Sequence, residues 1–449
     1  MEYNEFKKKI FKQADAAGFS EVELYRNRNA SIDLRVFKGE VDHYSLNDDD
    51  GIGFRGIYQG KMGFSYTENI SETEIDFLVN KARENAEIVD KEEGIIFSEK
   101  AEYKELKIDS DDFGEISPED KIELLKKAEK AAYDYDDRIE VVNYCMYSDM
   151  MLEEVMDNTA ELELSNNSQL AYMFLSVVAA AGNDKKSSGK VVVKRKFADF
   201  NPVELAEEVA EEAVSLLGAS SIASGDYPVL LRHDVAGDLL QTFASTLSAE
   251  NVQKGLSLFE GKLENRVAVD DLTLIDDPFL EEGFRSTPFD SEGYPTRRKE
   301  IIKDGILTTY LYNLKTAARD GVESTGNAFR SSHKSSVGIA PTNLYIKPGN
   351  TSLAELKKMK EKTLLITDIT GLHAGANQVS GDFSLSAEGF LLEAGEIVKP
   401  VEQITVSGNF IELLKDVIGI GDDLEMGSPG RGHIGSPSLL IKSLSVGGN

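Results

Sequence analysis

Residues 371–409 read GLHAGANQVSGDFSLSAEGFLLEAGEIVKPVEQITVSGN, a stretch whose short apolar runs are interrupted at Gly371, Gly375, Gly381, Gly389, Gly395 and Gly408. Glycine tolerates positive φ and close backbone approach, so this spacing predicts short strands joined by tight turns. Such a segment builds surface as much as core. Its polar members His373, Asn377, Ser380, Asp382, Ser384 and Glu388 are placed to hang into a binding cleft.

Outward from this stretch, the chain of 449 residues is about twice the usual domain size, which predicts two large domains. The small-residue connector GASSIASGDYP at 218–228 is the best boundary, giving an N-terminal α+β domain over 1–220 and a sheet-rich C-terminal domain over 221–449. The formal charge is -30, from 79 acidic against 49 basic residues. A phosphate backbone needs a cationic footprint, so direct nucleic-acid binding is not expected. One cysteine, Cys145, excludes an intrachain disulfide and a multi-cysteine metal site. The opening MEYNEFKKKIFKQ lacks the apolar run of a signal peptide, and no run is long enough to span a membrane, so a cytoplasmic protein is expected.

In the first half, helical spacing at 3–17 is followed by alternating strands over 22–25, 32–37 and 41–45. Asn47 to Asp50 reads as an acidic loop without the ligand period of a calcium loop. GIGFRGIYQGKMGFSY at 51–66 reads as strand, turn and strand, and it lacks both phosphate-loop patterns. Ser71-x-x-Glu74 predicts a capping box, Asp90 to Asp112 an exposed acidic excursion, and Ser117-Pro118 and Asn201-Pro202 two further helix starts. Strands are expected at 139–147, 159–165, 170–181 and 189–197, with Cys145 a buried structural residue in the first.

In the second half, His233-Asp234-Val235-Ala236-Gly237-Asp238 stands at a strand-to-helix junction, where a histidine with two carboxylates can hold a divalent ion. On a regular helix His233 and Asp238 diverge by roughly 140°, so a shared ion demands an irregular turn. The plain structural reading has Asp234 capping a helix and Asp238 solvated. No GxSxG elbow supports a serine triad, and His433 lies in the glycine loop GRGHIGS.

Together, EGFRSTPFDSEGYPTRR (282–298), GILTTYLYNLKTA (305–317), STGNAFR (324–330), the opening stretch and the ending SLSVGGN resemble the TldD/PmbA family, linked to peptide processing and once described as modulators of DNA gyrase. GANQVSGDFSLSAEGF is similar to the PmbA side, also called TldE. The resemblance implies an α+β, two-domain TldD/PmbA-like architecture with a sheet-rich C-terminal domain. TldD-side members carry an HExxxH zinc motif and a later cysteine ligand. Against that pattern His233 matches the first histidine, Asp234 replaces the glutamate as general base, Asp238 stands for the second histidine and Arg431 for the cysteine.

The resemblance therefore implies a PmbA/TldE-like subunit without zinc of its own, working with a TldD-like partner that carries zinc, on unfolded or extended peptides. The alternatives are a self-sufficient metallopeptidase with zinc on His233 and Asp238, and a non-catalytic peptide-binding homodimer. Arg297, Arg298, Asn327 and Arg330, with His373, Asn377 and Asp382, are expected along the peptide cleft or a subunit interface.

Overall fold

The computed structural model describes residues 1–89 and 97–449. The first half opens with helix α1 (Tyr3–Ala16) and continues through β1 (Phe19–Phe37), β2 (Glu40–Tyr58), β3 (Lys61–Thr67) and α2 (Glu72–Ile88). After α3 (Pro118–Tyr135) come β4 (Ile139–Asn158), β5 (Glu163–Ala181), β6 (Asp184–Lys194) and α4 (Pro202–Ser215). The strands form one antiparallel sheet in the order β3-β2-β1-β4-β5-β6.

Period-two alternation gives this sheet two different faces. Leu24, Ile52 and Phe54 pack on Phe6 and Ile10 of α1 and Leu78 of α2, while Cys145, Tyr147 and Leu175 pack on Leu125 of α3 and Val209 of α4. The opposite face presents Asn27, Leu152, Ser168 and Val193 to the second half of the chain. The strands are much longer than their apolar runs. RNRNA at 26–30 is polar, yet β1 continues through it because its neighbours supply cross-strand partners.

The acidic loop expected over Asn47–Asp50 is accordingly corrected to the middle of β2, where Arg28 grips Asp48 through two bonds of 2.9 Å and Arg26 grips Asp50 at 2.9 and 2.6 Å. The capping box at Ser71 is also corrected. Ser71 precedes α2, but its hydroxyl meets Thr73 at 2.9 Å and Glu74 accepts from Thr67. Ser117 and Asn201 do cap their helices, accepting from Asp120 and Glu204 amides at 3.1 and 3.3 Å. The excursion expected from Asp90 lies partly outside the described residues; Ala101 to Asp112 runs without regular structure.

The second half starts at β7 (Gly225–Leu231) and α5 (His233–Ala244). It continues through β8 (Leu274–Asp276), β9 (Lys299–Lys303), β10 (Ile306–Leu307), β11 (Ala328–Phe329), β12 (Gly338–Ile339) and β13 (Asn343–Ile346). Then follow β14 (Lys362–Thr370), β15 (Asp382–Glu393), β16 (Glu396–Asn409), β17 (Val417–Ile420), β18 (Glu425–Met426), β19 (His433–Ser436) and β20 (Leu439–Gly447). The order β16-β15-β14-β7-β20 is closed by a β16–β20 pairing into a small barrel, and β10-β9-β8-β13-β19-β18 forms a second sheet.

Helix α5 lies between the two, its Val235, Leu239 and Phe243 sharing one core with Leu274, Ile434 and Phe410, whose ring stacks on Phe243 at 4.5 Å. The stretch 371–409 supplies the long hairpin of β15 and β16. Gly389 is required there, because a Cβ would stand 2.0 Å from the Leu365 carbonyl oxygen. The chain is therefore mixed α+β, and among its described residues no helix is long and apolar enough to cross a membrane.

One buried network ties the halves together. Glu23 of β1, fully buried, accepts two 2.8 Å bonds from Arg55 and a further bond from Arg330, while Arg55 also faces Glu292 at 3.4 Å.

Candidate functional site

The first turn of α5 gathers an excess of carboxylates. His233 is its first residue, and its Nε2 stands 3.4 Å from Glu425 of β18, while its Nδ1 is buried without a partner. Asp234 is engaged by Arg232, whose Nε and Nη2 donate at 2.8 and 2.6 Å. Burial opposes its charge, but these bonds hold the Asp234 carboxyl below the usual range. Arg232 also pairs with Glu212 at 2.6 Å.

Asp238, one turn further, has no such cation among the described residues and is pushed up to about 6 by burial and by the charges of Asp234 and Asp368. Asp368 of β14 lies opposite Glu388 of β15. Burial raises both, and Glu388 is pushed up to about 7, with Asp368 and Glu212 adding to the shift.

The donor set at α5 does not close a three-ligand metal site. Two atoms each about 2.1 Å from one tetrahedral ion lie roughly 3.4 Å apart, so His233 and Glu425 have a suitable separation. A third donor is missing, because α5 is regular from His233 onward and turns Asp238 away. Among the described residues, three histidine or carboxylate donors within 4.8 Å of one another occur only at Asp49, Glu68 and His333. His333 is buried with both ring nitrogens unpartnered, seated over Gly51, where a Cβ would stand 2.3 Å from its Nε2. Those orphaned nitrogens fit a divalent ion. Lys334 competes for the same carboxylates, pairing with Glu68 and standing 4.0 Å from Asp49.

The remaining residues singled out in the sequence fall into three places. Asn327 and Arg330 line a cavity of about 560 Å³ between the two halves, Asn327 bonded to Lys299 and Asp276 and Arg330 to Glu23. Arg297 and Arg298 are exposed, facing Glu323 and Asp277 at 3.4 Å. His373, in a one-turn helix, and Asn377, in the turn after it, precede β15, which Asp382 opens; all three are exposed, Asn377 capping the Val379 and Ser380 amides and Asp382 accepting from Asn409.

Arg431, aligned in sequence with a metal ligand, points at the Phe329 ring 5.9 Å away and lines the same cavity; Glu425 is what faces His233. His433 belongs to β19 rather than to a flexible loop, and burial pushes it down to about 4. Cys145 is buried and its thiol is pushed up to about 12, so it is no nucleophile. Sequence reasoning missed Glu425, Asp368 and the pairing of Asp49 and Glu68 with His333. Only the long separations of the fold bring these together, and no local motif marks them.

Comparison with known proteins covers the whole architecture. Models of the PmbA/TldA metallopeptidase domain 1, central domain and C-terminal domain match residues 22–86, 111–217 and 224–448. The Metalloprotease PmbA homolog of Haemophilus influenzae is 28% identical over 97% of this chain and 93% of its own length. Metalloprotease PmbA of Escherichia coli is 27% identical over 96% and 92%. A candidate modulator of a DNA gyrase from Thermotoga maritima superposes with TM-score 0.92 at 35% identity, over 99% of this chain and 100% of that one. TldE of Thermococcus kodakarensis has the same fold, with TM-score 0.91 at 22% identity over 99% and 100%.

Proposed function

Because this chain belongs to the PmbA/TldD metallopeptidase family, we propose that it serves the metal-dependent hydrolysis of unfolded or extended peptides, using a divergent histidine and carboxylate site of its own. The observation that carries the metal assignment is His333, whose buried ring nitrogens are both unpartnered and one of which lies within 4.8 Å of an Asp49 and a Glu68 oxygen. The names of the full-length relatives, metalloproteases in Haemophilus and Escherichia, support the same reading. Bound there, a divalent ion supplies Lewis acidity. The α5 recess, on the far edge of the N-terminal sheet, is a separate place, where Asp238 and Glu388 are raised above the ordinary carboxylate range.

A second reading, a PmbA/TldE-like subunit whose zinc resides in a TldD-like partner, is favoured by one observation: Arg232 occupies both oxygens of Asp234, the residue in the general-base position. Metal analysis of the purified chain after zinc loading and dialysis separates the two. We expect one retained ion per chain, lost in His333→Ala and kept in His233→Ala. No retained ion, with peptide cleavage appearing only when a TldD-like partner is added, establishes the second reading instead.

A further inference from the structure

Most buried cations in this chain are matched by carboxylates. Arg55 and Arg330 share Glu23, Lys299 has Asp276, Lys121 has Asp149, and Lys186 has Asp184 and Glu402. Among the described residues Arg285, half-buried, and Arg431, exposed on the cavity rim, have no such carboxylate and no ion-pair partner, although the chain carries a net charge of -30 and carboxylates are plentiful. Both guanidinium groups are held near one ring, 5.5 and 5.9 Å from the centre of Phe329. Arg285 donates to the Gly430 carbonyl, and its Nε is buried with no acceptor.

No neighbouring acid among the described residues comes within ion-pair distance of either arginine, and their oxygens are engaged elsewhere. Glu154, whose charge acts most on Arg285, accepts the Tyr25 hydroxyl at 2.5 Å. Asp290 spends its oxygens on the backbone amides of Glu292, Tyr294 and Ala328. Arg195, also without an ion pair among the described residues, lies 4.8 Å over Phe284 and adds a third positive charge behind the wall. Two like charges beside one ring repel each other, and an anion between them relieves that cost.

The two arginines stand on the wall of the 560 Å³ cavity between the halves. Its floor is the free face of the N-terminal sheet, where apolar Leu152, Leu170 and Val193 neighbour Asn27, Asn166 and Ser168. An apolar surface with amide and hydroxyl groups at intervals suits an extended chain carrying apolar side chains and a polar backbone. We propose that this cavity takes the carboxyl-terminal end of an extended apolar peptide, with its α-carboxylate held between Arg285 and Arg431. The assignment rests on the peptide reading above for its choice of occupant, but not on any metal.

The test uses the full chain and fluorescence anisotropy of a dye-labelled pentapeptide of valine and serine, in free-acid and carboxamide forms. The free acid is expected to bind about tenfold more tightly than the amide, because a charged bidentate contact is lost in the latter. Arg285→Met and Arg431→Met each abolish that difference, while Lys130→Met, on an exposed helix face, retains it. Arg431 is exposed, so its variant keeps the fold even if Arg285→Met does not; thermal melting checks both.

Equal binding of acid and amide overturns the proposal, as does discrimination that survives both substitutions together. Dodecanoate binding more tightly than the peptide, with the same arginine dependence, overturns the peptide as occupant in favour of a fatty acid. Binding is read without turnover, so the two readings fail separately. Acid-selective binding without hydrolysis sinks the proposed function alone, and hydrolysis without acid selectivity sinks this one alone.

Discussion

The seam around Glu23 and the recess around α5 handle crowded charge in opposite ways. At the seam one buried carboxylate serves two guanidinium groups, and every charge has a partner. At α5 the acids Glu212, Asp234, Asp238, Asp368 and Glu388 outnumber Arg232, and the carboxyls it does not pair with, Asp238, Asp368 and Glu388, are raised above the ordinary range instead. The difference teaches which region is scaffold and which is poised for chemistry. Matched buried charge fixes geometry, whereas groups titrating near neutrality mark a site where protons can be exchanged.

Breaking the seam should have the largest effect. Glu23→Gln leaves Arg55 and Arg330 buried without their anion, and a loss of about 3–5 kcal/mol is expected in urea denaturation. Burial opposes the charge of Glu23, but Arg330 and Arg55 hold its pKa below the ordinary value. Its stabilising contribution is therefore present above the unfolded carboxyl value and lost as pH falls through the depressed folded one. The acid limb of the stability profile should accordingly flatten in Glu23→Gln. An unchanged midpoint and an unchanged acid limb would mean that the halves are held by packing alone.

Removing the single cation at the recess comes next. Arg232→Met strips the partner from Asp234 and Glu212, and a loss of about 1–2 kcal/mol is expected, since the pair is only partly exposed. Carboxyl-carbon NMR should show Asp234 moving up from its depressed value in this variant.

The smallest effect is expected at Asp238. Its pKa is raised in the fold to about 6, so the native state binds more protons than the unfolded one between about pH 4 and 6, and stability declines as pH rises through that window. Asp238→Asn should remove this slope. Its side chain opens to solvent from within the recess, so the gain at neutral pH stays under about 1 kcal/mol. A slope that persists in the variant would transfer the titration to Glu388 or Asp368.

The legibility of the molecule follows the same division. Helices α3 and α4 are readable from Ser117-Pro118 and Asn201-Pro202, because capping is a local bond between residues three apart. Gly389 is readable as a close approach, although not what approaches it. The lengths of β1 and β2 are not readable, because polar segments such as 26–30 and 47–50 become strand only through ion pairs with each other. At the α5 site, the sequence offers His233, Asp234 and Asp238 on one helix, and the partners Glu425 and Asp368 are invisible to any local pattern.

By itself the sequence determined the family, the α+β class, the helix starts and the glycine-punctuated hairpin at 371–409, since each depends on neighbouring residues or on motif text. Only the tertiary structure decided which charges are matched. It gave Glu425 to His233, brought Asp49 and Glu68 to His333, and set Arg285 and Arg431 beside one phenylalanine. Electrostatic energy depends on distance and burial, and residues 192 or 284 positions apart acquire a distance only when the chain has folded.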